Sequence, residues 1–167
     1  MLALVHGASA VQLWERGTWR TLTPLAASAP LRLQHLASSA DGSQIAAYGV
    51  DSASPERGLV VVLDVAAGRE LARWSPRRTP ISAVAFLART RCIATGDEDG
   101  HLEVWQLGAS ATAAAPSRLA AVDLRGGQGP FGRRITGLAF SPAGDRLVAG
   151  LGLDGDVVVI FDVTASR

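Results

Sequence analysis

Few residues in this sequence have the types and spacing of a known chemical site, and one set of them is a glycine motif. Gly150, Gly152 and Gly155 match the G-x-G-x-x-G spacing that lets a dinucleotide pyrophosphate approach the N-terminus of a helix. The residues that follow, 157–160, read Val-Val-Val-Ile, a β-branched series that favours a strand. Because no helix dipole would then hold the phosphate, we expect no nucleotide at this motif. We expect no cofactor elsewhere in the chain.

Acidic, histidine and cysteine residues form no pattern typical of a metal or catalytic site. Residues 97–99 are three adjacent acids, which cannot all face one ion, and a solvated turn is the simpler interpretation. His6, His35 and His101 lack the spacing of zinc ligands, and there is no second cysteine to join them. Cys92 lies in a predicted strand, where burial would keep its thiol inert. We therefore expect no metal site and no enzyme activity.

The basic residues exclude several further chemistries. All 16 are arginine, so the sequence has no lysine for a Schiff base or a phosphate loop. The 16 basic and 15 acidic residues leave a net charge of +1, too small to attract nucleic acid or an anionic membrane. A single cysteine cannot form an internal disulfide, which favours a cytoplasmic location, with a nuclear or cytoskeletal assembly as the other possibility.

The composition indicates a folded, turn-rich chain. The 167 residues are enough for one ordinary domain, and 48% of them are hydrophobic. The 18 glycines and 8 prolines interrupt the apolar segments. The apolar runs, such as residues 59–63, are far shorter than the ~20 residues of a membrane span. We expect a soluble protein that does not bind a membrane.

Internal repeats are the most informative feature of the sequence. Three segments align without a gap as strand, tight turn and second strand, and their anchors Ile45, Ile93 and Leu147 are 48 and 54 residues apart. The segments are 36–48, 84–96 and 138–150. Residues 96–106 and 150–162 both read as an acidic, glycine-containing turn followed by an alternating strand that ends in an aromatic and a polar residue. Segments 2–15 and 58–65 fit the same template, so the chain carries four copies, the first of them incomplete.

The repeated residues resemble the WD-repeat family of β-propellers. The pieces that carry the resemblance are Phe140-Ser-Pro-Ala-Gly144, Ala94-Thr-Gly-Asp-Glu-Asp-Gly100 and Val104-Trp-Gln106. The resemblance implies an all-β fold of antiparallel four-stranded blades arranged as an incomplete ring of about three and a half blades. No Gly-His pair opens a repeat, and the turn aspartate of the family is matched only by Asp99 and Asp154. The hydrogen-bonded tetrad that braces each blade in the family is therefore expected to be incomplete.

Fourteen strands are predicted, and they divide the chain into four blades. The first blade lacks its innermost strand, and the last lacks its outermost strand. The outer strand of the first blade is predicted near Trp19–Leu22. The blades are 1–30, which is incomplete, 31–78, 79–132 with a long loop at 108–132, and 133–167.

Two arginine pairs are the main candidates for binding a partner. Both precede a predicted inner strand, so the repeat places them on one side of the propeller, and the resemblance implies that partner-binding loops cluster there with the turns of Asp97, Asp99 and Asp154. A guanidinium group suits a carboxylate or phosphate, so an acidic or phosphorylated peptide is a reasonable ligand. The alternative, that the arginines pair with neighbouring acids or lie in water, stays open. The four arginines are Arg77, Arg78, Arg133 and Arg134.

The resemblance implies a non-enzymatic protein-interaction scaffold, a segment of a larger protein or assembly. Trp74 lies on a predicted outer strand, where a large aromatic residue is less easily explained by the core, and a contact on the side of the propeller is one interpretation. Two other functional interpretations stay open. One is that the chain belongs to an enzyme whose active site is elsewhere, and the other is that two copies complete a ring as a homodimer.

Overall fold

The structure is a computed structural model that describes residues 2–6, 10–14, 25–26, 31–88, 90–108, 115–124, 134–152 and 157–163. Every regular element in these ranges is a β-strand. The strands are β1 (Leu2–His6), β2 (Ala10–Trp14), β3 (Leu25–Ala26), β4 (Leu31–Ser38), β5 (Gln44–Asp51), β6 (Gly58–Asp64), β7 (Arg69–Trp74), β8 (Ile81–Phe86), β9 (Cys92–Asp97), β10 (His101–Gln106), β11 (Ser117–Asp123), β12 (Ile135–Phe140), β13 (Arg146–Leu151) and β14 (Val157–Asp162).

The strands form four antiparallel sheets in which strands consecutive in the chain are neighbours. The first sheet is β1-β2-β3, the second β4-β5-β6-β7, the third β8-β9-β10-β11 and the fourth β12-β13-β14. The prediction of an all-β fold with four-stranded blades and an open ring is confirmed. The strand predicted near 19–22 lies outside the described residues, and the outer strand of the first sheet is β3, at Leu25–Ala26.

Short polar residues close the hairpins that the repeat predicts. In the turn between β4 and β5, Gly42 has a φ of 71°, and the hydroxyl of Ser39 donates to Oδ1 of Asp41 at 2.7 Å. The turn between β12 and β13 repeats this arrangement: Gly144 has a φ of 77°, and Ser141 donates to Asp145 at 2.6 Å. Glycine adopts positive φ without the steric cost of a Cβ, so the chain reverses direction at the same place in both hairpins.

Irregularities in the ladders also repeat from sheet to sheet. The pairing of the innermost strand shifts between Leu33 and His35, between Ile81 and Ala83, and between Ile135 and Gly137. Each shift lies opposite the same part of the second strand, namely Tyr48–Gly49, Gly96–Asp97 and Gly150–Leu151, which are equivalent positions in the repeat. Because a bulge increases the local twist of a strand, a bulge at one repeated position gives the three sheets a similar shape that lets them stack.

Successive sheets pack face to face. We call the face of a sheet on the side of the sheet before it in the chain its preceding face, and the opposite face its following face. Aromatic and large aliphatic residues cover the preceding face, as Trp105 does in the third sheet and Phe161 in the fourth. Small residues such as Ala83 and Ala94 cover the following face of the third sheet. Large side chains of one sheet therefore meet small ones of the next, which lets the backbones approach closely.

The contact between the third and fourth sheets is especially close at one glycine. A Cβ built on Gly96 would lie 2.6 Å from Cγ2 of Ile135, a distance that real atoms do not adopt. Beside it, the buried hydroxyl of Ser82 donates to the carbonyl oxygen of Ile135 at 2.6 Å. The absence of a side chain at Gly96 thus allows the start of β12 to pack against the third sheet.

Within the described part of the chain, no helix is long and apolar enough to cross a membrane.

Candidate functional site

Two of the predicted arginines form ion pairs that join neighbouring sheets. Arg78, which precedes β8, lies 3.8 Å from Glu56 in the loop between β5 and β6. Arg134, which precedes β12, lies 3.5 Å from Glu98 in the turn between β9 and β10. All four side chains are substantially exposed, so water and salt screen both pairs. A ligand for either arginine would compete with a carboxylate already in place.

Arg77 takes part in a different arrangement, centred on a buried carboxylate. Glu103 on β10 is only 2% exposed, and its Oε1 accepts hydrogen bonds from Nε of Arg77 at 3.3 Å and from Nη1 of Arg118 at 3.0 Å. The other oxygen, Oε2, has no hydrogen-bond partner among the described residues. Burial of one negative charge between two cations links the loop before β8, the strand β10 and the outer strand β11.

Sequence reasoning did not identify Glu103, although a signal was present. In a strand, alternate residues share a face, so Glu103 shares the face of Trp105, a large aromatic residue of a type that is usually buried. A charged residue on a buried face needs a partner, and that requirement points to a buried ion pair.

The acidic turn after β9 is only partly the solvated turn that we predicted. Glu98 and Asp99 are exposed, in agreement with the prediction, but Asp97 is 2% exposed. Its Oδ1 accepts the backbone N–H of Asp99 at 3.0 Å and that of His101 at 2.8 Å, while its Oδ2 lies 2.9 Å from Nδ1 of His101. The prediction was wrong for Asp97 because this carboxylate satisfies buried donors of its own turn.

Asp99 fills a different role, at the surface of the same turn. Its Oδ2 accepts a hydrogen bond from the hydroxyl of Thr79 at 3.1 Å, which ties the turn to the loop before β8. Arg77, Arg78, Asp97 and Asp99 thus lie around one edge of the third sheet, and Arg134 reaches it from the fourth. Arg133 and Asp154 lie outside the described residues.

Two tryptophans are buried between the second and third sheets. The indole N–H of Trp105 donates to the hydroxyl of Thr95 at 3.0 Å. The rings of Trp74 and Trp105 are tilted at 55° with their centroids 5.9 Å apart. Trp74 is 6% exposed, although it lies on the outer strand β7, so packing against Trp105 accounts for its size. Very little of its surface is left for a contact with a partner.

Cys92 is half-buried rather than buried, and its Sγ lies 3.2 Å from Oε1 of Gln106. It is the first residue of β9, at the end of the ladder, which explains why the expected burial is incomplete. Among the described residues, no three histidine, cysteine or acidic side chains are grouped as metal ligands would be.

The largest exposed apolar side chains lie on the fourth sheet and on the outer strand of the third. Val158 and Ile160 on β14 are 62% and 60% exposed. By register, Val158 matches Leu102 of the third sheet and Val60 of the second, which are 2% and 0% exposed. Equivalent positions are therefore buried wherever another sheet follows, and the following face of the fourth sheet is an uncovered apolar surface.

This surface is continuous with the free edge of the fourth sheet. Strand β13 pairs with one edge of β14, and among the described residues no strand pairs with the other. On the neighbouring sheet, Leu119 and Val122 of β11 are also exposed. We call Val158 and Ile160 with this free edge the β14 surface.

Comparison with known proteins agrees with this architecture. The repeat family "WD40: WD domain, G-beta repeat" matches residues 68–106 and 125–160. No curated protein matches the chain in sequence.

Three solved structures share the fold. The structure of U3-55K aligns with a TM-score of 0.64 at 24% identity over 86% of this chain and 42% of that one. The crystal structure of the RRP9 WD40 repeats aligns with a TM-score of 0.65 at 23% identity, with the same coverage of 86% and 42%. A chain in the crystal structure of the mitotic checkpoint complex gives a TM-score of 0.69 at 20% identity over 92% of this chain and 41% of that one.

At these identities the likeness concerns the fold, and this chain spans about two fifths of the length of each matched chain. WD40 propellers generally serve as scaffolds for protein interactions. The repeats found in the sequence, the four stacked antiparallel sheets and these matches agree: the chain contains WD40 repeats at residues 68–106 and 125–160, and it has the fold of part of a β-propeller.

Proposed function

We propose that this chain is a non-enzymatic protein-interaction scaffold that works as a segment of a larger propeller or assembly. The observation that carries the proposal is the exposure of Val158 and Ile160, at 62% and 60%. A folded protein rarely leaves adjacent large aliphatic side chains in water on a flat sheet unless another surface covers them. The partner is a protein surface that continues the stack of sheets.

The residues of the fourth sheet are suited to such a contact. Its following face carries Gly137, Ala139, Val148 and Gly150 on the two inner strands, all half-buried or exposed. The matching face of the third sheet carries mainly Ala and Gly there, and it packs closely under Ile135. A further sheet with large residues on its preceding face would fit the fourth sheet in the same way.

The remainder of a propeller and a second copy of the chain are both compatible with this surface. Native mass spectrometry and sedimentation velocity of the purified chain test whether a second copy covers it. A dimer that dissociates when Val158→Asp is introduced would identify the second copy. The charge-matched control Gln34→Asp should remain dimeric, since Gln34 is an exposed residue of β4. A stable, well-folded monomer with no tendency to associate would contradict the proposal.

The arginine side of the third sheet is a second place where a partner could bind. An acidic or phosphorylated peptide remains our proposed ligand for Arg77, Arg78, Arg133 and Arg134, supported by the presence of Arg78 and Arg134 at the surface. Such a ligand would take the places of Glu56 and Glu98 beside the arginines. Because salt screens interactions between exposed charges, we expect its affinity to fall steeply with salt. We also propose a cytoplasmic location, supported by the single, unpaired Cys92.

A further inference from the structure

Strand β14 occupies the same position in its sheet as β6 and β10 do in theirs. The anchors Ile45, Ile93 and Leu147 pair with Leu63, Trp105 and Phe161 respectively, which fixes the correspondence of the three strands. β6 and β10 each carry an outer strand on their far side, namely β7 and β11. The far side of β14 is the free edge described above.

The two outer strands pair with their neighbours in one common register. Ala72 lies opposite Val62 and Glu70 opposite Leu63, so Leu71 is an extra residue in a bulge. On the third sheet, Ala120 lies opposite Val104 and Arg118 opposite Trp105, so Leu119 is the extra residue. The bulge and the sequence charged-Leu-Ala are therefore shared by both strands.

The residues that flank this bulge are also similar. Trp74 lies opposite Val60, and Val122 lies opposite Leu102, so an apolar residue follows two positions after the alanine. At the other end, Arg69 lies opposite Asp64. The two resident strands thus share a charged residue, leucine, alanine, any residue, and an aromatic or branched aliphatic residue, whereas the position before them is Arg69 opposite Asp64 in β7 and Ser117 opposite Gln106 in β11. A strand that pairs with an aspartate at this place, as β7 does, therefore begins the pattern with an arginine.

Strand β14 offers each of the matching positions. Ile160 corresponds to Val62 and Val104, and Val158 corresponds to Val60 and Leu102. Asp162 corresponds to Asp64 and has an 84% exposed side chain. An arginine at the first position of the pattern would face Asp162, as Arg69 faces Asp64, and an alanine would lie beside Ile160.

We propose that the free edge of β14 binds one extended segment of a partner protein as an added antiparallel strand with the pattern Arg-charged-Leu-Ala-any-aromatic or aliphatic. Main-chain hydrogen bonds would supply affinity, and the bulged leucine and the arginine would supply register. The inference rests on the proposed function, because it names the kind of segment that the scaffold takes at the β14 surface.

A synthetic peptide with the sequence of residues 68–75, which contains β7, is the probe. We expect the capped peptide to bind the purified chain in fluorescence anisotropy and to slow amide hydrogen exchange of residues 157–162 by about tenfold or more near saturation. A peptide with Ala72→Pro lacks one main-chain donor and should not protect β14. In the protein, Val158→Asp should weaken binding, while Gln34→Asp should leave it unchanged.

Weak affinity of an isolated strand is addressed by a second measurement. Fusing the same eight-residue sequence to the chain through a flexible linker raises its effective concentration to the order of millimolar. Unchanged exchange of residues 157–162 in both formats, protection of a different strand edge, or equal protection by the Ala72→Pro sequence would overturn the inference. Assembly of the chain in sedimentation with β14 amides still exchanging freely would retain the scaffold function and reject the added strand.

Discussion

The third and fourth sheets follow one template, but the residues of their preceding faces differ in kind: those of the third sheet are largely polar and those of the fourth are apolar. The third sheet places Thr95, Asp97, His101, Glu103 and Trp105 there, and hydrogen bonds or ion pairs connect them to one another or to arginines. By register, the fourth sheet has apolar residues at all five positions. They are Ala149, Leu151, Val157, Val159 and Phe161. The same backbone thus accommodates either a set of five hydrogen-bonded or ion-paired residues, which we call the polar brace, or a purely apolar face.

The comparison teaches that the fold itself needs only apolar packing, since the fourth sheet forms without the brace. The polar brace adds directional contacts. Glu103 accepts hydrogen bonds from Arg77 in the loop before β8 and from Arg118 on the outer strand β11, and these contacts fix the position of both segments. Buried polar contacts of this kind favour one arrangement over others of similar apolar packing.

The largest effect should follow from leaving the Glu103 carboxylate without its cations. Arg77→Ala combined with Arg118→Ala is expected to lower the free energy of unfolding by about 3 kcal/mol, because a buried charge then has no partner. Glu103→Val, which copies Val159 of the fourth sheet, should change it by less than about 1 kcal/mol. Urea denaturation followed by tryptophan fluorescence measures both. Equal destabilisation by the two variants would show that the brace is not electrostatic.

A matched pair of glycines tests how closely each sheet is covered. Gly96→Ala should destabilise the chain by about 1–3 kcal/mol, because the new Cβ would meet Ile135 at 2.6 Å. At the corresponding Gly150, the nearest atom to an added Cβ is Oγ1 of Thr136 at 3.2 Å. Gly150→Ala should therefore be close to neutral in thermal melts. A loss at Gly150 as large as that at Gly96 would mean that the following face of the fourth sheet is already covered.

A smaller effect is expected from making the third sheet more like the fourth at its aromatic residue. Trp105→Phe removes the hydrogen bond to Thr95 and introduces the residue type of Phe161, at a cost of about 1 kcal/mol. Thr95→Ala introduces the residue type of Ala149. In a double-mutant cycle, the two changes together should cost less than the sum of each alone. Strict additivity would show that the hydrogen bond contributes nothing.

The smallest effect concerns the exposed turn of Asp41, far from the brace. The hydroxyl of Ser39, with the amide and hydroxyl of Ser43, lowers the pKa of Asp41 to about 2 from 3.8. Since the folded pKa is depressed, its stabilisation is complete above pH 3.8 and is lost as the pH falls through 2. An NMR titration should show the Asp41 pKa rising toward 3.8 in Ser39→Ala. An unchanged pKa would assign the shift to Ser43 alone.

The sequence was sufficient to predict most of the fold because the decisive signals are local. Hairpin turns are specified by neighbouring residues such as Ser39, Asp41 and Gly42, and alternation along a strand assigns each residue to a face. The strand predicted near 19–22 lies outside the described residues and stays a prediction.

The candidate site was less predictable because its contacts join distant parts of the chain. Asp97 resembles its exposed neighbours in sequence, and only the turn that brings His101 back to it makes it a buried acceptor. The burial of Trp74 depends on Trp105 in the next sheet. The choice between a free arginine patch and paired arginines likewise depends on where Glu56 and Glu98 lie, which no local pattern determines.

The order of the strands within each sheet has a consequence for how the chain folds. Because each sheet is made of strands that are consecutive in the chain, most of its hydrogen bonds join residues that are close in sequence, and such contacts form quickly. Stabilising contacts between sheets then extend from neighbour to neighbour, so folding spreads along the chain as it does in other repeat proteins. Amides of the second and third sheets, packed on both faces, should be the last to exchange, and unfolding should begin at β1–β3 and β12–β14.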